Sequence, residues 1–598
     1  MDRGQIAGAF LTLLSWPLYA AGGVSNHLSL QGYSGLTSIP DARVLPEGNL
    51  SLQFNNDLES SAPVRDRDLE IRNYLFNVGV WDRFELGGRI SSNTRDGGSR
   101  GDLSASAKLN LYENGGFRLA IGAADFAGDA QKLRANYATG TYLWRYSEFT
   151  VGYGSGPDRL KGLFGGLRFR VFPKLVVSAE YDGLESHLGA HTSIRLSDRA
   201  TLTAQTKLSS FESQRLSAGV GLDIDLGESS IPIARNSERA AGVKSVSGED
   251  VELSEASVDT TKSPDNSLVA VRKKVLEQDL VEHRYGVNVR RFNGVASGTQ
   301  TVKWESGWLG GLGGGLLERN HYRFEMRVEG ALRMIVASDF GTFDYSLAAR
   351  PTARLQGPLG LGGYVSQDVP LIRTDDARPG GVYSHLNHDS GLHQAAVQWG
   401  FHPLPGLIGL LTAGRTEVDE VPYDIQHADW AVHSPSGRHQ LRLAAAEFSP
   451  HDGLNFQSRS TAVASYRYWW SPKNLSVRVG YGEFFYEDSG ATLDIQRFFG
   501  DVSLGLFYRR RQDGEQLGGF QVSLPLLASA PFSWKSVKVY GDPRFRHQLG
   551  TRIQGPGGQN VISRGFMLEP LPQYNLLDDV LDSDRAIPDY PYTAEQIN

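Results

Sequence analysis

The sequence predicts an all-β fold of transmembrane antiparallel β-barrels, with two in tandem favoured over one wide barrel, and a small α/β periplasmic insertion. Three observations carry this. Runs of about ten residues alternate strictly between apolar and polar, the pattern of a strand with one apolar and one polar face. Leu103, Ala105, Ala107, Leu109 and Leu111 oppose Ser104, Ser106, Lys108 and Asn110, and Leu216 to Leu226 repeats the pattern with Ser217, Gly219, Gly221, Asp223 and Asp225. Strands of that length suit a tilted crossing of a bilayer around a wet lumen, whereas a soluble sandwich, which also alternates, usually uses shorter ones. Finally, no apolar run of about 18 residues follows the first 25, so no helical span is expected in the mature chain.

The elements follow in order. Ile6 to Leu18 is an apolar stretch followed by Ala20, Ala21, Gly22 and Gly23, so residues 1–21 are expected to be a secretory signal peptide. An N-terminal barrel is expected over 28–226, where about a dozen strands are separated by Asp96-Gly97-Gly98, Asn114-Gly115-Gly116 and Asp182-Gly183, turns that supply positive φ for hairpins. Residues 227–310 read as a linker plus a small α/β module. Glu228 to Asn266 is rich in Ser, Glu and Asp without periodicity, Leu268 to Glu282 has helical spacing, and Tyr285 to Phe292 and Thr299 to Trp304 are short strands. A C-terminal barrel is expected over 317–570, starting where Tyr322, Phe324, Met326 and Val328 oppose Arg323, Glu325, Arg327 and Glu329, a polar face expected to meet water. Residues 571–598 read as an acidic tail that need not be ordered.

Composition narrows the function classes. The 598 residues contain no cysteine, which excludes a disulfide framework and thiolate metal sites. The net charge of −7 comes with no large basic block, since Arg509, Arg510 and Arg511 fit a solvated strand end, so nucleic acid is not an expected partner. Sixty-nine glycines and 10% aromatic residues suit tightly turned strands with interfacial girdles.

Signatures of catalysis are missing. There is no HExxH, GxSxG or P-loop motif, and Gly311-Leu312-Gly313-Gly314-Gly315 lacks the strand-helix setting of a dinucleotide fingerprint. His385, His388 and His393 with Asp389 lie in a loop-like SHLNHDSG context, so no metal site is assigned to them. Glu483, Glu487 and Asp488 are carboxylates of the kind glycoside cleavage needs in pairs, but at a strand end they read as loop acids. No cofactor is expected. On strand parity, Arg467, Arg478, Asp494 and Arg509 are the expected lumen or glycan contacts, beside Gln496, Ser503, Gln521 and Ser523. Ala464, Tyr466, Val477, Val479, Leu504, Leu506, Val522 and Leu524 face outward, and Tyr468, Trp470 and Tyr486 are placed at headgroup level.

Two segments resemble a known family. GYSGLTSIPDARVLPEGNLSLQFN, from Gly32 to Asn55, resembles the opening of the YjbH and GfcD family of outer-membrane proteins associated with exopolysaccharide and capsule, with Gly32, Gly35, Leu36, Pro40, Ala42 and Gly48 in the motif positions. GYGEFFYEDSGATLDIQRFFGDVSLGLFYRR, from Gly480, resembles a second family segment through Asp488, Gly490, Arg497 and Phe498, and GGFQVSLPL, from Gly518, resembles its strand before a Leu-Pro-Leu step. The likeness runs nearly full length. It departs at Asn320 to Ser338, which alternates like strands where the family often has a helix.

The resemblance implies a protein of the Gram-negative outer membrane that takes part, without catalysis, in export or assembly of an exopolysaccharide or capsule. Its implied partners are outer-membrane lipid, the surface polysaccharide and other periplasmic or outer-membrane export proteins. A general porin or structural outer-membrane scaffold is the alternative, and a secreted glycan-degrading enzyme the third reading. Asp488 and Arg497 are also placed as a structural pair.

Overall fold

The computed structural model describes residues 26–57, 70–95, 98–126, 134–144, 147–157, 159–172, 174–209, 216–227, 289–292, 301–304, 323–336, 343–357, 360–404, 407–418, 421–434, 438–451, 456–470, 473–499, 502–524, 532–534, 537–541, 545–554, 561–562 and 567–577. The chain is all-β and forms two compact units. The signal peptide and the helix expected at Leu268 to Glu282 lie outside the described residues.

The first unit is a closed barrel of β1 (Asn49–Asn55), β2 (Glu70–Trp81), β3 (Phe84–Arg95), β4 (Gly98–Asn114), β5 (Phe117–Ala124), β6 (Ala135–Trp144), β7 (Ser147–Ser155), β8 (Lys161–Phe172), β9 (Leu175–Tyr181), β10 (Ser186–Arg195), β11 (Ala200–Ser209) and β12 (Leu216–Asp225). Each strand pairs antiparallel with the next, and β1 closes on β12 with Asn49 opposite Asp225 and Asn55 opposite Gly219. Closure removes every free sheet edge, the condition for a strand to sit in hydrocarbon.

Alternation then sorts the side chains. On β7, Glu148, Thr150, Gly152 and Gly154 face in, while Phe149, Val151 and Tyr153 face out. The register builds outward rows across neighbouring strands, Ile121-Ala138-Tyr153-Leu163 below and Phe117-Tyr142-Phe149 above, so that an aromatic row borders an aliphatic one. Val151 is 62% and Leu163 68% exposed, and the outward positions of β7 and β8 carry a single charge, Lys161 at the start of β8. So much contiguous apolar surface is foreign to a water-soluble protein.

Between the units' sheets along the chain, β13 (Val289–Phe292) pairs antiparallel with β14 (Thr301–Trp304). The second large sheet orders sixteen strands and gives the second unit a closed or nearly closed barrel of thirteen. It contains β15 (Arg323–Val336), β16 (Phe343–Gln356), β17 (Leu361–Arg373), β18 (Gly391–Leu404), β19 (Leu407–Val418), β20 (Val421–His433), β21 (His439–Pro450), β22 (Arg459–Trp470), β23 (Leu475–Glu483), β24 (Ser489–Phe499), β25 (Val502–Arg511) and β26 (Gln516–Leu524) as an antiparallel meander, with β29 (Phe545–Gln554) beside β26 and then β30 (Val561–Ile562). At the other side of the meander, β15 pairs in parallel with β28 (Val537–Gly541), which pairs antiparallel with β27 (Phe532–Trp534). Asn320 to Ser338 thus contains strand rather than helix where it is described.

Two expectations need correction. The tail that need not be ordered is in fact placed over its first residues, because residues 567–577 pack inside the second unit with Tyr574, Asn575 and Leu576 buried. Nor does the polar face of Arg327 and Glu329 meet open water, since it packs on that segment.

Candidate functional site

The interior of the first barrel is filled by its own chain. Residues 26–48 precede β1 and fold back into the lumen, where Leu30, Leu36, Ile39 and Ala42 are fully buried together with Ser29, Ser34 and Asp41. The family-like segment is therefore a plug. It is held compact by bridges between Leu28 and Ser34 and between Gly35 and Pro40, and by the Leu30 amide donating to the Thr37 carbonyl at 2.9 Å. Its motif residues have physical roles. Gly32 sits at φ +97°, and a Cβ at Gly35 would lie 2.2 Å from the Ile39 carbonyl oxygen.

Backbone groups forced into a lumen must find partners, and inward strand side chains supply them. Glu180 on β9 accepts the amides of Thr37, Ser38 and Ile39 at 2.8, 2.7 and 3.1 Å. Glu85 on β3 accepts those of Ser34 and Leu45. Asn110 on β4 donates to the Ala42 carbonyl, and Gln205 on β11 to that of Leu28.

Charge fixes the plug further. Asp41 meets Arg43 at 2.8 Å, Arg168 of β8 at 3.3 Å and Lys108 of β4 at 3.5 Å. Glu148 of β7 meets Arg43 and Arg168, both at 2.7 Å, and Lys108 reaches Glu85 at 3.3 Å. Three carboxylates thus face three cations, and Lys108, Arg168, Asp41 and Glu148 have no exposed side-chain surface beyond 1%.

A second cluster lies where strands give way to loops. Asp57, just past β1, meets Lys207 at 2.6 Å and Arg159 at 3.4 Å and accepts from Ser217 at 2.7 Å. Asp182, just past β9, meets Arg159 at 3.4 Å and His187 at 3.0 Å. Burial pushes both carboxyls up, but Lys207 and Arg159 hold Asp57 well below the carboxylate range, and the hydrogen bond from His187 to Asp182, together with the Arg159 charge, holds Asp182 at about 2. A depressed folded pKa contributes stability above the unfolded value, near 4, and loses it as pH falls toward the folded one. The barrel in detergent is therefore expected to lose resistance to heat between about pH 4 and pH 2. Melting followed by gel mobility at stepped pH checks this, and a midpoint unchanged down to pH 2 contradicts it.

The second unit has its own internal segment, at 567–577. The Gln398 amide donates to the Tyr574 carbonyl at 2.7 Å, and Gln394 accepts the Gln573 amide at 2.8 Å. Leu576 N donates to Asp429 at 3.3 Å, and Glu569 pairs with Arg442 at 2.9 Å. The Tyr574 ring lies under the guanidinium groups of Arg354 and Arg327, at 4.0 and 4.9 Å from its centroid, and edge-on to Tyr364.

The sequence-predicted contacts occupy another wall of that interior. Arg467, Arg478 and Asp494 stand side by side on β22, β23 and β24, all inward and buried, and Arg509 on β25 reaches Asp494 at 2.7 Å. Gln496, Ser503, Gln521 and Ser523 are buried on the same side, while Tyr466, Val479, Tyr468 and Trp470 are exposed on the other. The proposed pairing of Asp488 with Arg497 fails, because they flank opposite ends of β24. Asp488 instead accepts the Met567 amide, and Arg497 lies beside Leu475 and Leu504. Phe498 is buried near Trp469, and a Cβ at Gly490 would lie 2.1 Å from the Arg510 carbonyl oxygen on β25.

His388 is buried against Ser346, His393 stands on β18 rather than in a loop and lies 3.9 Å from Asp368, and among the described residues no group of three or more His, Cys, Asp or Glu side chains is arranged to hold a metal ion. Glu483 faces outward and Glu487 pairs with Arg459.

No family model and no curated protein matches the chain. Among solved structures it is similar to a KdgM porin, at 11% identity over 29% of this chain and 98% of that one, with a TM-score of 0.23. It is also similar to the unliganded ferric citrate transporter FecA, at 8% identity over 87% of this chain and 76% of that one, with a TM-score of 0.18. Both are β-barrel likenesses too distant to carry function.

Proposed function

We propose that this chain is an outer-membrane barrel protein that serves as a non-enzymatic component of exopolysaccharide or capsule export or assembly, and that its first barrel is a structural scaffold rather than a channel. The observation that carries the scaffold reading is the N-terminal plug. Residues 26–48 occupy the lumen and are cross-braced by buried ion pairs, which supports a barrel that does not pass solutes. The apolar outer rows and their aromatic border support the membrane setting. The polysaccharide role is supported by the family-like segments, the first of which is the plug itself.

Two measurements test this. The purified protein in a planar bilayer is expected to show no open-pore conductance, and deletion of its gene to reduce surface polysaccharide without altering small-solute permeability. The general porin, for which an inward-polar barrel is also suitable, predicts the reverse: steady conductance, altered permeability and unchanged surface glycan.

A further inference from the structure

The two internal segments are held by different chemistry. The N-terminal plug is locked by six buried charges and runs straight into β1, so removing it would strand ions in a dry interior. The segment at 567–577 has one ion pair with the wall, Glu569 with Arg442, plus carboxylate contacts from Asp488 to the Met567 amide, from Asp429 to the Leu576 amide and from Glu329 to the Gln573 side-chain amide, and a set of neutral hydrogen bonds. Most of these bind its main chain. Gln394, Gln398 and Asp429 read the carbonyls and amides of 571–576 without reading side chains, so another chain with regularly spaced donors and acceptors satisfies them equally.

We propose that the lane now filled by Glu569 to Leu576 is a binding site for an extended acidic oligosaccharide, with the C-terminal segment as its built-in competitor. The choice of a sugar rests on the polysaccharide reading above; the choice of an acidic one rests on Arg442. That guanidinium is 2% exposed, and its two partners among the described residues are Asp429 and Glu569. When the segment leaves, Glu569 leaves with it, and a buried cation short of a partner is costly. A displacing chain must bring a carboxylate to Arg442 and a hydroxyl donor to Asp429, as a uronate unit does. Tyr364, uncovered by the departure of Tyr574, offers an apolar ring face to a pyranose, and the Gln394 and Gln398 amides match its hydroxyls.

The test compares the full chain with a chain ended at Phe566, each confirmed as folded by heat-modifiable gel mobility, using hexamannuronate as the acidic probe and maltohexaose as the neutral one. The shortened chain is expected to show a steady conductance that the full chain lacks, and hexamannuronate to block it at a concentration about tenfold lower than maltohexaose. Arg442→Gln in the shortened chain is expected to erase that preference. Because the protein has no cysteine, Thr352→Cys with Gln573→Cys, whose parent side chains are hydrogen-bonded at 2.6 Å, can be bridged by a short thiol cross-linker in the full chain. The bridged protein is expected to lose whatever hexamannuronate binding the unbridged one shows by calorimetry.

A folded shortened chain that binds neither sugar, or binds both alike with Arg442→Gln making no difference, overturns the proposal. That outcome is separate from the gene-deletion result, which tests the polysaccharide role whether or not this lane binds.

Discussion

Lys108→Met is expected to lower the unfolding free energy of the first barrel by about 3–5 kcal/mol, the range for removing one partner from a buried ionic cluster. Methionine keeps most of the volume, so the loss is electrostatic rather than a cavity effect. Lys108 donates to the Ser34 carbonyl and hydroxyl, both at 2.6 Å, and faces Asp41 and Glu85, with no side-chain exposure. Without it, two carboxylates remain where water cannot reach them. Adding Glu85→Gln is expected to recover part of the loss, because a buried charge left uncompensated costs more than the missing attraction.

Arg195→Met provides the contrast. Its pair with Asp198 is 68% and 99% exposed, and such pairs contribute little, so the change is expected to stay within about 0.5 kcal/mol. Urea unfolding of the three variants in one detergent decides the matter. Equal losses for Lys108→Met and Arg195→Met would mean that the plug is not anchored as described.

The sheets were legible because alternation is local. Leu103 to Leu111 carries its own inside and outside, and Asn114-Gly115-Gly116 its own turn, so strand order and facing follow from short-range rules. The lumen contents were not legible, because nothing local says that Gly32 to Leu45 returns into a barrel built from residues 49–225. One signal was available. Glu85, Lys108, Glu148 and Arg168 are charges on the inward faces of separate membrane-length strands, and buried ions must be partnered. Read together, they called for oppositely charged groups from a segment outside the strands, and Asp41 with Arg43 is such a pair. Asp488 and Arg497 do not pair because nearness within a sequence motif is not nearness in space: an extended strand carries its two ends far apart.

Val151→Arg is expected to separate a membrane barrel from a dissolved one. Val151 is outward on β7 between Phe149 and Tyr153, with Gly140 and Gly165 as cross-strand neighbours, so its surroundings are apolar along the strand and open across it. In water, an arginine at a 62% exposed strand position would cost little and would even shield a greasy patch. At mid-depth in hydrocarbon it costs about 2–4 kcal/mol, falling toward zero near the interface. Asn136→Arg, on the same outer face of β6 but toward its other end, is the depth control, and Thr150→Val tests the inward side of the same strand, where Thr150 meets Thr141 at 3.0 Å. Refolding into vesicles is expected to fall steeply for Val151→Arg and slightly for Asn136→Arg, while in detergent all three variants keep β circular dichroism. If Val151→Arg instead folds as well as the parent and raises solubility without lipid, the outward rows face water, and the assignment of this barrel to a membrane falls with them.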